Sequence, residues 1–222
     1  MAADIPPAET QPAETQPAET QPAGTQPTKA PPAASRSAKP LRADAARNRA
    51  KVLDAARDVF AELGTGASTE EVARRAGVGI GTVFRHFPTK ESLLEAVLGE
   101  ILAGFAEQAK ARTGAADPGG AFFDFFQLVV GESATKNAVS AELAGAGIDI
   151  AAGRADVRQE LRGALGVLLT RAQEAGVVRA DVGLGEVLAL LAGTSQAAGK
   201  LDVATRARVL DVVFDGLRSQ PS

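Results

Sequence analysis

The sequence predicts an all-α protein of about nine helices, and three observations carry that prediction. Apolar residues recur at helical spacing, and no stretch alternates with the period of two that a half-buried strand requires. Ala, Leu, Glu and Arg, all good helix formers, dominate the segments between turn signals. Those signals (Gly, Pro and capping Ser or Thr) fall at intervals of a helix length.

The elements follow in order. Over residues 43–63, Val52, Ala56, Val59, Phe60 and Leu63 share one face, while Arg47, Arg49, Lys51, Arg57 and Asp58 lie mostly around the other. Gly64 and Gly66 end this first helix. Ser68 and Glu71 then have capping-box spacing, in which the hydroxyl takes an amide and the carboxylate reaches back. The second helix turns Val72, Ala73 and Ala76 inward and stops at Gly77. Gly77-Val78-Gly79 is a tight turn with Val78 as a plug, and a third helix runs over 80–86 with Val83 and Phe87 inward. Pro88 breaks it, and Thr89 caps a long fourth helix to about residue 112.

Residues 114–120 (GAADPGG) read as a loop between modules. Helical patterning resumes over 121–131, in a shorter or broken piece at 138–145, and then over 156–175, 184–200 and 203–218. Three domains are expected: a tail over 1–40, a first helical module over 41–90 and a second over 91–222.

The tail repeats PAETQ at 7–11, 12–16 and 17–21, then PAGTQ at 22–26. A Pro every fifth residue forbids a regular helix and almost nothing there is apolar, so disorder is expected. A secretory signal is not expected, because a continuous apolar run and a basic start are missing. No stretch approaches the ~18 apolar residues of a membrane span. With no cysteine in the chain, disulfides, thiolate metal sites and cysteine nucleophiles are excluded. Together these predict a cytoplasmic protein with no membrane contact, no metal and no cofactor.

The net charge of −3 is unevenly spread. Residues 36–90 carry 11 Lys+Arg against 6 Asp+Glu, a net of +5, whereas 1–35 and 91–222 are net −3 and −5. A basic module on an acidic body fits a polyanion as partner of the first part only. Short helix, glycine turn, short helix is also the geometry that sets one helix in the major groove of DNA.

At this point the stretch FAELGTGASTEEVARRAGVGIGTVFRHFPTKESLLEAVL resembles the DNA-binding domain of the TetR family of bacterial repressors. The resemblance rests on Phe60, Ala73, Ala76-Gly77-Val78, Gly81-Thr82, the Phe84-Arg85-His86-Phe87 run and Thr89-Lys90-Glu91, and covers about residues 42–103. Beyond residue 110 it is architectural, with 176–198 similar to the family's loop and penultimate helix. It implies a homodimeric regulator, usually a repressor that a small ligand releases from operator DNA. Gly79, Ile80, Gly81, Thr82, Phe84, Arg85 and His86 would then face the groove, with Thr82 on a phosphate. Lys90, Thr69, Arg42 and Arg47 would meet the backbone; phosphate contacts of this kind set register while few side chains specify sequence. Three positions depart from the pattern. Gly79 stands where a capping Ser is common, Ile80 where a polar or basic residue is common, and Phe84 in place of the usual Tyr, whose hydroxyl commonly reaches a phosphate.

Four of the nine phenylalanines (Phe122, Phe123, Phe125 and Phe126) lie within five residues and spread round their helix, so neighbours are expected to enclose it. The resemblance implies a ligand chamber among these central helices. Phe105, Phe122, Phe123, Phe126, Val129, Leu165 and Leu169 are its expected walls, and an apolar or aromatic effector the natural occupant. Small residues at Ala189, Gly193 and Ala197, each four apart, form a ridge that permits close helix approach. The family's four-helix dimer would use it with Leu184, Leu188, Leu191, Val213 and Leu217. An enzyme is not expected: there is no Cys or Tyr, a single His and no strand-borne phosphate loop. The alternative to a regulator is a helical protein-interaction adaptor that kept the fold and lost DNA binding.

Overall fold

The computed structural model describes residues 38–149 and 154–220, with side chains from Ala43 onward. The repeat tail and the Arg42 side chain lie outside the described residues. Among those described there are nine α-helices and no strand beyond one isolated bridge, Val178 with Arg218. The fold is all-α. The helices are α1 (Ala38–Leu63), α2 (Thr69–Ala76), α3 (Ile80–His86), α4 (Lys90–Arg112), α5 (Pro118–Gly131), α6 (Ser133–Gly145), α7 (Ala155–Glu174), α8 (Leu184–Ala198) and α9 (Val203–Leu217).

Helix ends follow local chemistry. Gly77 closes α2 at φ 67°, a left-handed conformation that favours glycine. Thr89 opens α4 with a reciprocal box: its hydroxyl accepts from the Ser92 amide at 3.1 Å, and Ser92 Oγ accepts from the Thr89 amide at 3.2 Å. The box expected at Ser68 forms only half. Ser68 Oγ accepts from the Glu71 amide at 3.2 Å, but the Glu71 carboxylate turns to Arg74, whose Nε donates to it at 2.9 Å. α5 begins earlier than expected because Asp117 accepts from the Gly120 amide at 2.9 Å and Pro118 has its φ preset for a first turn. α6 starts at Ser133 rather than 138, since polar Thr135, Lys136 and Asn137 occupy helix positions that read as loop in the sequence.

Two apolar cores meet along α4. The first gathers Val52, Val59 and Phe60 of α1, Val72 and Ala73 of α2, Val83, Phe87, and Leu93, Leu94, Ala96, Val97 and Leu98 of α4. Val139 and Leu143 of α6 complete it. The second joins Phe105 and Ala109 from the far half of α4 with α5, α7, α8 and α9. Phe122, Phe125 and Phe126 are fully buried in it, each contributing about 1.5–3 kcal/mol by leaving water. Residues 91 onward therefore do not separate cleanly from the first module: α4 serves both cores.

α6 is held from both sides. Asn137 Nδ2 donates to the Ser195 carbonyl at 2.8 Å, and Ser133 Oγ lies 3.2 Å from the same oxygen. That carbonyl lies in the last turn of α8, where helical partners run out. At its other end α6 places Glu142 3.4 Å from Thr65 Oγ1, just past α1. Asn137→Ala is expected to lower stability by about 1–2 kcal/mol, read from urea unfolding. No change would mean that Ser133 alone satisfies the carbonyl.

Candidate nucleic-acid interface

α3 buries one side chain, Val83, and leaves the remainder of its surface outward. Phe87 at its end is 3% exposed and anchors it to the first core. Ile80 and Phe84, four residues apart on one face, remain 36% and 44% exposed. Gly79, Gly81 and Arg85 are also exposed, and Thr82 and His86 are half-buried. Gly79 caps α3 without a side-chain hydrogen bond, so the departure from a capping Ser has the structural consequence its chemistry implies. Lys90 begins α4 beside this surface in sequence, half-buried, and Thr69 begins α2, half-buried as well.

The cations of the module divide by occupation. Arg75 forms a two-pronged pair with Glu62 of α1 at 3.0 and 2.8 Å, tying α2 to α1. Its hydrogen bonds, then its charge, hold the Glu62 carboxyl below the ordinary range. Any stability from that shift is present above the ordinary carboxylate pKa and is lost as pH falls through the lowered one. Arg74 is taken by Glu71, and Arg47 by Asp44 in an exposed pair one turn away on α1. Arg85 has no ion pair among the described residues.

Arg49 belongs to this surface although the sequence shows it only as one polar residue of α1. Its guanidinium lies 5.2 Å from the centroid of the Phe87 ring, a cation–π contact against the end of α3. His86 lies near the same ring, with centroids 6.3 Å apart. Because α1 and α3 meet only in the tertiary fold, helical periodicity gives no signal for this contact.

The residues expected elsewhere are placed as follows. Phe122, Phe126, Val129, Leu165 and Leu169 are buried in the second core with Phe105. Phe123 packs 4.8 Å from Phe214 and 5.3 Å from Phe122, centroid to centroid. Phe105 also touches a groove of about 660 Å³ that runs beside Arg57, Glu100, Gln108 and Glu132. On α8, Ala189, Gly193 and Ala197 are exposed and border an open groove of about 680 Å³ with Leu190 and Val209. Leu191 and Leu217 face the other way, 9% and 1% exposed in the second core, so they have almost no surface for a partner. Leu184, Leu188 and Val213 are partly buried against that core.

A short helix, a left-handed glycine turn and an exposed second helix carrying an arginine define a helix-turn-helix DNA-binding protein. Comparison with known proteins gives the family. Residues 52–97 match the family model "Bacterial regulatory proteins, tetR family", and 117–219 match "Transcriptional regulator SbtR-like, C-terminal domain". A TetR transcription regulatory protein from Mycobacterium vanbaalenii is 42% identical, with TM-score 0.65 over 81% of this chain and 99% of that one. A TetR regulator from Streptomyces coelicolor is 33% identical, with TM-score 0.64 over 78% and 99%. An HTH-type transcriptional repressor of Mycobacterium tuberculosis is 49% identical over 53 residues, 23% of this chain and 28% of that protein. That curated relative is thus matched over less than a third of its length. The chain belongs to the TetR family of transcriptional regulators. No helix among the described residues is long and apolar enough to cross a membrane.

Proposed function

We propose that the protein is a cytoplasmic, ligand-responsive repressor that binds a palindromic operator as a homodimer. The observation that carries the reading is the outward surface of α3, where Arg85 has no ion pair among the described residues and Ile80 and Phe84 stay in solvent. Ile80 and Phe84 form an exposed apolar pair on one face of α3, and the thymine methyl is the apolar feature of the major groove that such a pair can cover. Thr82, Arg85, His86 and Lys90 supply donors for phosphates and base edges around it, with Thr69, Arg42 and Arg47 as flanking contacts. In this reading residues 41–90 read DNA, and 91–222 bind effector and partner.

The dimer reading is supported by the open face of α8, where Ala189, Gly193 and Ala197 let a second helix approach closely. Val212 of α9 is 72% exposed and Leu190 of α8 39%, leaving apolar surface for a symmetric partner. A two-fold dimer would hold two copies of α3 roughly 34–36 Å apart, one turn of DNA. Ligand acts by binding more tightly to a spacing that does not fit the operator. An effector with an apolar or aromatic body suits the apolar second module, although one entering among Phe105, Phe122, Phe123, Phe126, Val129, Leu165 and Leu169 must part packed rings.

Fluorescence anisotropy on DNA beside the protein's own coding region, against shuffled DNA over a salt series, tests the regulator. Preferential binding that falls steeply with salt supports it. Absence of specific binding there and in an unbiased oligonucleotide selection would leave the adaptor, for which exposed Ile80 and Phe84 would be the docking residues.

A further inference from the structure

A second cavity lies along α4 beside Leu98 and Leu102. It measures about 270 Å³, at the small end of ligand-site volumes, and is bounded by α4, the end of α6 and the start of α7. Its walls are Leu98, Leu102, Leu143 and Ile148, with Arg154 and Arg158 beside them. Glu95 and Asp149 complete the lining, both on the exposed side.

Two features show that Arg154 is held for this position. It is the non-glycine residue with positive φ among those described, at 56°, a conformation that is uphill for an L side chain. Its guanidinium lies against Gly99 of α4, so closely that a Cβ there would stand 2.9 Å from Arg154 Cζ. The missing side chain at Gly99 is therefore the space the guanidinium occupies. Neither Arg154 nor Arg158 has an ion-pair partner among the described residues.

We propose that this cavity is the effector site and that it takes a small carboxylate with an apolar body. The four aliphatic side chains cover the body. The two guanidiniums, permanently charged and planar, take the carboxylate in charge-assisted hydrogen bonds. Glu95 is solvated at the rim and disfavours a second negative charge on the ligand, which selects monocarboxylates over dicarboxylates. The site deepens the ligand-responsive reading and rests on it. Leu98 and Leu143 belong to the core that carries α1 to α3, and Leu102 and Ile148 pack against that core. A ligand seated here touches Leu98 and Leu143 of the core that α1 to α3 share, and needs no relay through the phenylalanines.

The test uses the full chain with octanoate, benzoate and uncharged 1-octanol as probes, with binding read by calorimetry and thermal shift. At least one of the two monocarboxylates is expected to bind about tenfold or more tightly than 1-octanol. Arg154→Gln/Arg158→Gln should abolish that preference while leaving ligand-free operator affinity unchanged. Gly99→Ala, which keeps both charges and moves only the Arg154 guanidinium, should weaken carboxylate binding severalfold and leave 1-octanol binding alone. Wild-type dissociation constants weaker than about 1 mM for both carboxylates, or binding that the double variant leaves intact, would overturn the site. A carboxylate that binds with this pattern without loosening the operator complex would overturn the cavity's role as the effector site and leave only a carboxylate-binding site. Absence of operator binding altogether would count against the regulator and not against the cavity.

Discussion

Replacing Thr82 and Arg85 together by Ala is expected to weaken operator binding by about a hundredfold or more while leaving the fold intact. Neither side chain is in the core: Arg85 is exposed and Thr82 half-buried, and Val83 and Phe87 do the anchoring of α3. A base-edge or phosphate contact from a groove helix is worth about 1–3 kcal/mol, and a two-fold dimer loses each contact twice. Loss of two arginines from such a dimer should also make the salt dependence shallower by about two in the log–log slope. Anisotropy over a salt series, with circular dichroism as the folding control, checks both. Equal affinity for wild type and variant would mean that α3 is not the DNA-reading helix. A lower affinity with an unchanged slope would instead assign Arg85 to a base edge without counterion release.

Gly193→Arg separates the monomer from the dimer more sharply than any large-to-small change. A Cβ at Gly193 meets nothing within 4 Å in the single chain, and the position is exposed on α8. An isolated protomer therefore accommodates the arginine at little more than surface cost, within about 0.5 kcal/mol. A partner helix lying across Ala189, Gly193 and Ala197 leaves no room for it and would force a charged side chain out of water. The expected result is a folded monomer with a near-normal thermal midpoint at high concentration. Sedimentation should report half the wild-type mass, and operator affinity should fall by about a hundredfold or more because two half-sites are no longer bound together. Retained dimerisation would move the interface away from the small-residue ridge. Both variants bear on the same reading from opposite ends of the chain, and their ligand-free folds serve as each other's control.

Much of this protein is legible residue by residue because much of it is local. The limits of α3, the Thr89 cap of α4 and the Gly77 stop depend on atoms within four residues of one another, and the sequence places them where the structure has them. The early starts of α5 and α6 escaped because Asp117-Pro118-Gly119-Gly120 and Thr135-Lys136-Asn137 carry turn-like composition; a cap and a packing partner made them helical. Ser68–Glu71 shows the complementary error. The spacing of a capping box is present, but Arg74 competes for the carboxylate and wins with a charge-assisted pair.

α8 shows where one-dimensional reading ends. Its apolar and small positions are evident in the sequence, but periodicity cannot say which face turns to its own chain. The tertiary fold sends Leu191 inward and leaves Ala189, Gly193 and Ala197 outside, because α5, α6 and α7 already cover the other side. The same holds for Arg49 on Phe87, Glu62 with Arg75 and Arg154 on Gly99. Each joins residues far apart in the sequence, and their meeting depends on how the cores pack.

By itself the sequence determined the helical class, the helix-turn-helix, the family and the positions facing outward on α3, since these rest on hydrogen bonds and caps a few residues long. Only the tertiary structure decided which arginines are committed to carboxylates, which face of α8 is free and where a cavity opens. Those outcomes depend on which surfaces remain after distant helices have excluded water from the others.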